Sequence, residues 1–243
     1  MKLARFNSII FIGIFFSLST VAEGEVVQLD SDFDGKLDQW HHKSTDDKLE
    51  KVEYDRNGDG KADQVDIYEA NKKPVRVEFD RNFDGIFDQI QLYSQGFLLT
   101  KIEKDSRFSG LFDWHEFYNT DNKIIRLEID QNGDGKIDVF QFFSGGGKIN
   151  EVEYDISHDG NIDRWEKFGE NESVESVAFD TNQDSKPDQW QYFLNSTQLE
   201  KVEHDTNFDG KIDRWEYFNS SGEIDRIEID RNNDGKVDLV KKK

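Results

Sequence analysis

One 25-residue unit decides the fold of this chain, and at residues 55–79 it reads DRNGDGKADQVDIYEANKKPVRVEF. A polar loop, DRNGDGKAD, comes first, and two segments follow in which apolar and polar residues alternate, QVDIY and PVRVEF. Alternation with a period of two is typical of β-strands, whereas helices repeat every 3.6 residues. The unit therefore predicts a loop, a strand, a turn and a second strand.

The unit occurs nine times in strict register, without insertion or deletion. The loops are numbered here in chain order, and each begins with Asp: Asp30, Asp55, Asp80, Asp105, Asp130, Asp155, Asp180, Asp205 and Asp230. A second Asp ends each loop eight residues later. A fixed period of this length indicates a repeat architecture, so we predict a single β-repeat domain over residues 23–243.

Two strands per unit predict an all-β fold with 17 or 18 strands. We expect an antiparallel meander of hairpins with the loops along one edge, while a β-solenoid or a propeller-like arrangement fits the same period. Each strand has one apolar and one polar face, which is typical of an antiparallel sheet covered on one side. The aromatic residues in the apolar phase are assigned to the core, including Trp40, Trp165, Trp190 and Trp215.

The loops share the pattern D-x-[N/D]-x-D-G-x-Φ-D, where Φ is apolar. Positions 1, 3, 5 and 9 carry side-chain oxygens, and position 7 can offer its backbone carbonyl. Calcium takes six to eight oxygen ligands, so this pattern matches its chemistry. Position 6 is Gly in eight of the nine loops, which predicts a sharp turn with positive φ.

We predict that eight loops hold one Ca²⁺ each, giving about eight ions per chain. Position 1 contributes Asp30, Asp55, Asp80, Asp130, Asp155, Asp180, Asp205 and Asp230. Position 3 contributes Asp32, Asn57, Asn82, Asn132, Ser157, Asn182, Asn207 and Asn232. Position 5 contributes Asp34, Asp59, Asp84, Asp134, Asp159, Asp184, Asp209 and Asp234. Position 7 contributes only its carbonyl, from Lys36, Lys61, Ile86, Lys136, Asn161, Lys186, Lys211 and Lys236. Position 9 contributes Asp38, Asp63, Asp88, Asp138, Asp163, Asp188, Asp213 and Asp238.

Loop 4 departs from the pattern, with Arg107 at position 3 and Ser109 at position 5. We predict that it binds no calcium. We expect the guanidinium of Arg107 to lie near Asp105 and Asp113 and to replace the charge of the ion.

The loops resemble the EF-hand calcium loop in its first nine positions. They differ from it because strands flank them and because position 12 is not a regular Glu. In this respect they are similar to the strand-loop-strand calcium sites of integrin-type propellers, and the hairpins look like MORN-type repeats. Without a bidentate Glu, we expect affinities in the extracellular class, with dissociation constants of about 10⁻⁴–10⁻³ M.

The net charge of −21, from 52 acidic and 31 basic residues, makes nucleic acid an improbable partner because phosphate binding needs clustered Lys and Arg. Residues 1–22 match a secretory leader, with Lys2 and Arg5 before an apolar run and Ala22 at the cleavage position. Its removal makes the charge −23, and eight calcium ions would bring it to −7. We expect a secreted, periplasmic or cell-surface protein with no membrane span in its mature chain.

These features predict an exported calcium-binding repeat protein in which Ca²⁺ rigidifies an extended β array with a structural or adhesive role. An alternative is a calcium-dependent module that binds carbohydrate or a host macromolecule. A calcium-dependent enzyme acting on polysaccharide is a further alternative, but we expect no enzyme. The chain has no Cys, no phosphate-binding Gly-rich loop and no HExxH motif, and its five His share no ligand spacing.

Overall fold

The computed structural model describes residues 24–69, 73–94 and 96–243, and the predicted leader at residues 1–22 lies outside this part. The fold is all-β, as predicted. The strands are β1 (Val26–Leu29), β2 (Gln39–Lys43), β3 (Leu49–Tyr54), β4 (Gln64–Tyr68), β5 (Pro74–Phe79), β6 (Gln89–Tyr93), β7 (Leu99–Lys104), β8 (Trp114–Tyr118), β9 (Ile124–Ile129), β10 (Val139–Phe143), β11 (Ile149–Tyr154), β12 (Arg164–Phe168), β13 (Val174–Phe179), β14 (Gln189–Leu194), β15 (Gln198–His204), β16 (Arg214–Phe218), β17 (Ile224–Ile229) and β18 (Leu239–Lys242).

The strands form one open antiparallel sheet in which each strand pairs with its neighbours in the chain, from β1 beside β2 to β17 beside β18. This is the hairpin meander, and not the solenoid or the propeller. In the described part of the chain, no strand contacts another strand except a sequential neighbour, so the sheet is a single layer. At about 4.8 Å between strands, 18 strands extend for about 80 Å.

The two ends of the strands differ. Loops 1 to 9 all lie at one end, because each joins an odd-numbered strand to the following even-numbered strand. Short turns lie at the other end, and most contain a residue with positive φ, such as Asn122 at 57°. A β-bulge precedes these turns, for example between Phe117 and Tyr118. The nine candidate metal loops therefore line one long edge of the sheet.

The prediction of one apolar face is wrong, because the apolar faces of successive strands point to opposite sides of the sheet. The front face, defined by the row Val52, Asp66, Val77 and Gln91, alternates apolar and polar residues from strand to strand. The back face, defined by the row Glu53, Val65, Glu78 and Ile90, alternates in the same way. Directly paired residues share a face, so neither face is continuously apolar.

Long side chains on each face cover the apolar ones. On the back face, the ring of Phe117 lies between the Lys101 ammonium, 5.1 Å from its centroid, and the Arg126 guanidinium, at 4.1 Å. Lys101 and Arg126 also pair with carboxylates on their own strands, as in the Lys101–Glu103 contact of 2.6 Å. Aliphatic stems and cation–π contacts thus shield rings that no second layer covers.

The tryptophans predicted to form the core do not lie in a closed core. Trp40, Trp165, Trp190 and Trp215 are half-buried on the back face. The most buried apolar side chains are Val52, Val139 and Val152, each about 2% exposed. The described residues contain no helix whose length and hydropathy would suit a membrane crossing.

Candidate metal sites

The backbone of every loop turns twice through the left-handed region. Position 6 has φ between 85° and 97° in the eight loops with Gly, as predicted, and Ser185 occupies the same conformation at 69°. Position 4 is also left-handed in all nine loops, which the sequence analysis missed. Gly58 and Gly133 at position 4 could have indicated this second left-handed turn. Bulkier residues occupy the position in the other loops: Phe33, Phe83, Phe108, His158, Gln183, Phe208 and Asn233.

The serine in loop 7 carries a backbone cost that Gly would remove. A left-handed conformation costs an L-residue about 1–2 kcal/mol, while Gly adds about 0.5–1 kcal/mol of chain entropy. We therefore expect Ser185→Gly to stabilise the protein by about 0.5–1 kcal/mol in urea denaturation. The reverse change, Gly135→Ser, should destabilise the protein, because it places a side chain at a left-handed φ of 88°. An added Cβ at Gly135 would meet no other atom, so only the backbone strain is measured. If both variants unfolded with the same free energy as the wild-type protein, the backbone cost assigned to Ser185 would be contradicted.

The position-1 carboxylate organises each loop. In loop 2, Asp55 accepts hydrogen bonds from the N–H groups of Gly58 at 2.7 Å, Asp59 at 3.3 Å and Gly60 at 2.7 Å. The matching bond from position 6 to position 1 recurs in every loop. Several backbone N–H donors converge on this one carboxylate. The loop is therefore wrapped around an anion.

The position-9 carboxylate closes the loop from the other side. Asp63 accepts hydrogen bonds from Arg56 N–H at 2.7 Å and Asn57 N–H at 3.0 Å. Position 1 and position 9 are buried in most loops, including Asp55 and Asp63, whereas positions 3 and 5 are mostly exposed. Two buried carboxylates in one loop repel each other, so a cation between them would stabilise the loop.

The exposed ligand positions are oriented by the same network. The Asn57 side-chain oxygen accepts a bond from Asp59 N–H at 2.8 Å, and the Asp59 carboxylate accepts one from Lys61 N–H at 2.9 Å. Within the described residues, no backbone N–H donates to a position-7 carbonyl, such as that of Lys61. This carbonyl thus keeps its lone pairs for a hard cation.

Loop 1 brings three carboxylates together. One oxygen each from Asp30, Asp32 and Asp38 lies within 4.8 Å of the others. Loop 1 is the loop with Asp at position 3, where the others carry Asn, Ser or Arg. All eight predicted loops combine carboxylates, a backbone carbonyl and an Asp, Asn or Ser oxygen at position 3, a donor set that suits calcium. The number of ions and their coordination remain predictions.

In loop 4, Arg107 lies against a candidate ligand position. Its Nε donates to Asp113 at 2.7 Å, while its outer nitrogens donate to the carbonyls of Asp130 at 3.0 Å and Gln131 at 3.1 Å in loop 5. Burial alone would raise the pKa of Asp113, but bonds from Ser106 and Arg107 outweigh it and hold that pKa below its usual value. The expected contact with Asp113 is present, but the outer nitrogens of the guanidinium bond to the next loop and not to Asp105.

A double substitution should convert loop 4 into a calcium loop. Arg107→Asn with Ser109→Asp restores the pattern of the other loops, and we expect one additional Ca²⁺ per chain in calorimetric titration. Arg107→Asn alone is the matched control, because it removes the cation without supplying the position-5 carboxylate. An unchanged ion count in the double variant would show that the pattern is insufficient for binding.

Two other cationic side chains lie on candidate ligands, and the sequence analysis did not foresee them. Arg81 pairs with Asp88 within loop 3 and donates to the Asp105 carbonyl of loop 4 at 3.0 Å. His158 of loop 6 lies 2.8 Å from Asp138 of loop 5. Burial would raise the pKa of Asp138, but the His158 bond and two backbone N–H donors hold it below its usual value. Adjacent loops are thus linked through their position-9 carboxylates.

The phenylalanines at position 4 project from the loop edge. Phe108 packs on the neighbouring loop 3, with the Arg81 guanidinium 5.4 Å from the centroid of its ring. Phe33 is 90% exposed, whereas Phe83, Phe108 and Phe208 are each about half exposed. Neighbour packing therefore does not describe all of these residues.

A family model described as EF hand matches residues 127–140, which contain loop 5. This match identifies a calcium-loop motif there. No curated protein matches the chain. Among solved structures, the chain is similar to a mutant of S. aureus TarM in complex with Fondaparinux, alpha-GlcNAc-glycerol and UDP, at 16% identity and a TM-score of 0.35, over 44% of this chain and 20% of that one.

The chain is also similar to two further solved structures. TcdB2-TccC3 shares 11% identity at a TM-score of 0.25, over 84% of this chain and 13% of that one. TcdB2-TccC3-Cdc42 shares 8% identity at a TM-score of 0.24, over 80% and 13%. This chain spans a fifth or less of the length of all three structures. At these TM-scores the likeness carries no argument about fold or function.

Proposed function

We propose that this protein is an exported calcium-binding repeat protein, in which Ca²⁺ bound along one edge rigidifies an extended single-layer sheet with a structural or adhesive role. The observation that carries the proposal is the recurrence of one loop, with two organised carboxylates and an unbonded carbonyl, nine times along that edge. The EF-hand match at loop 5 supports the choice of metal.

The geometry supports a mechanical role for calcium. Each loop joins two adjacent strands, and consecutive loops are about 10 Å apart because two strands separate them. A sheet whose strands contact only sequential neighbours is stabilised repeat by repeat. An ion in each loop would therefore fix the angle between neighbouring strands along the whole array, which suits an extended structural or adhesive element.

Thermal unfolding in calcium and in chelator tests this proposal. Because the loops bind metal only when folded, calcium should raise the melting temperature. An identical melt in both buffers would contradict it.

A further inference from the structure

We propose that an open cavity on the front face, between loops 6 and 7, binds a neutral pyranose sugar. The cavity holds about 450 Å³ and is lined by Ile156, Phe179, Gln189 and Gln191, with the loop carboxylates Asp163 and Asp180 at its rim. This volume is in the range of small-molecule sites, which span about 300–1,000 Å³. The inference goes beyond calcium binding, because it concerns the space between two loops.

Bridging side chains that cross the gaps after loops 1, 3 and 4 have no counterpart at this cavity. Lys36 of loop 1 reaches the Gly58 carbonyl of loop 2 at 3.3 Å, and Arg81 and Arg107 cross the two gaps after loops 3 and 4. Loop 6 has Ile156 where loop 3 has Arg81, and Asn161 where loop 1 has Lys36.

Position 3 of loop 6 adds to the opening. Ser157 is short where loop 4 has Arg107, so it leaves the gap open. In the described structure, no side chain of loop 6 donates a hydrogen bond to loop 7. The sixth gap therefore lacks the side-chain bridges that cross the gaps after loops 1, 3 and 4.

The polar groups facing this cavity are available to a ligand. Within the described residues, the side-chain amides of Gln189 and Gln191 have no hydrogen-bond partner. By contrast, Gln91, which is equivalent to Gln191, accepts a 2.6 Å bond from the Tyr93 hydroxyl. Phe193 takes the place of that tyrosine and has no hydroxyl. The Asp163 carboxylate accepts one bond, from Ser157 N–H at 2.7 Å, and that bond goes to Oδ2.

The lining selects a neutral, hydroxyl-rich ligand with an apolar side. The Phe179 ring and Ile156 offer an apolar surface, on which the C–H groups of a pyranose can pack. Two amides and a carboxylate then accept and donate bonds to hydroxyls. No Lys or Arg lines the cavity, so in the absence of calcium an anionic ligand would meet two carboxylates without a compensating charge. A simple cation would leave both amides unpaired.

Ligand-observed NMR on the chain without its leader tests the site. The probes are the methyl glycosides of glucose, galactose, mannose and N-acetylglucosamine, with glucuronate as the anionic control, each in calcium and in chelator. We expect saturation transfer to at least one neutral glycoside, with a dissociation constant of about 1 mM, and, in chelator, weaker transfer to glucuronate.

Two variants and one control locate the binding. Gln191→Ala should weaken it at least tenfold, and Ile156→Arg should abolish it by copying Arg81 and closing the gap. Gln141→Ala is the control, because Gln141 lies at the same position of β10, where Arg107 crosses the gap. Far-UV circular dichroism checks that each variant is folded.

The outcomes separate this site from the calcium proposal. Glycoside binding in calcium or in chelator supports the site if Ile156→Arg abolishes it. This holds even if calcium does not change the melting temperature of the protein. No transfer to any of the four glycosides, stronger binding of glucuronate in chelator, or transfer that survives Ile156→Arg would overturn it.

Discussion

Calcium is expected to stabilise the folded chain strongly, because many equivalent loops each contribute. A ligand at ten times its dissociation constant adds about 1.4 kcal/mol per site, and at a hundred times about 2.7 kcal/mol. With eight loops, the effect exceeds that of an ordinary single substitution several-fold. Relief of self-repulsion adds to this stabilisation, since eight Ca²⁺ would change the net charge of residues 23–243 from −23 to −7. Thermal unfolding followed by circular dichroism measures the shift in melting temperature.

Magnesium at the same ionic strength is the control for charge screening. Magnesium demands strict octahedral geometry and keeps several waters, so a loop built from protein oxygens should favour calcium. We expect a clearly larger rise in melting temperature with calcium. Equal shifts with the two ions would mean that screening and not loop coordination stabilises the fold.

Leu127→Ala is expected to be among the most destabilising single substitutions. Leu127 is 6% exposed on the front face, between Glu116 and Gln141 in the paired strands. Truncating a buried leucine costs about 2–5 kcal/mol, and we expect the lower end because a single-layer sheet leaves room for relaxation. Equilibrium urea denaturation measures the change in the free energy of unfolding.

The control lies on the same strand. Ile125 is 39% exposed, and Ile125→Ala should change the unfolding free energy by no more than about 0.5 kcal/mol. If both alanine variants were equally stable, the long side chains flanking Leu127 would not be forming a core, and the explanation of how an uncovered sheet is stable would fail.

Much of this fold could be predicted from the repeat, but its two faces could not. The period and the polar loops placed the strands correctly and favoured the meander. The face on which the apolar residues of a strand lie depends on which two residues pair next to the loop. In loop 2 these residues are Tyr54 and Gln64. Closure one residue earlier or later would have aligned Val52 with Val65 on one face. Nothing in the alternating pattern distinguishes these registers.

Features of the loops that require a particular residue type could be predicted from the sequence. Features that depend on the backbone conformation or on the spacing between loops were harder to predict. Gly at position 6 indicated a left-handed turn, and the structure has it even at Ser185. The second left-handed turn was obscured because Phe33 and its equivalents occupy it in place of Gly. The contacts of Arg81 and His158 with neighbouring loops depend on the spacing between loops, which only the paired sheet reveals.

Calorimetric titration of residues 23–243, the chain without its predicted leader, with calcium tests the central claim most directly, because it counts the ions. Eight loops have side-chain oxygen donors at positions 1, 3, 5 and 9, whereas loop 4 has Arg107 at position 3. We predict saturation at about eight Ca²⁺ per chain, with dissociation constants of about 10⁻⁴–10⁻³ M. The absence of saturable heat would contradict calcium binding. Saturation at a single ion, held by Asp30, Asp32 and Asp38, would contradict the repeated site.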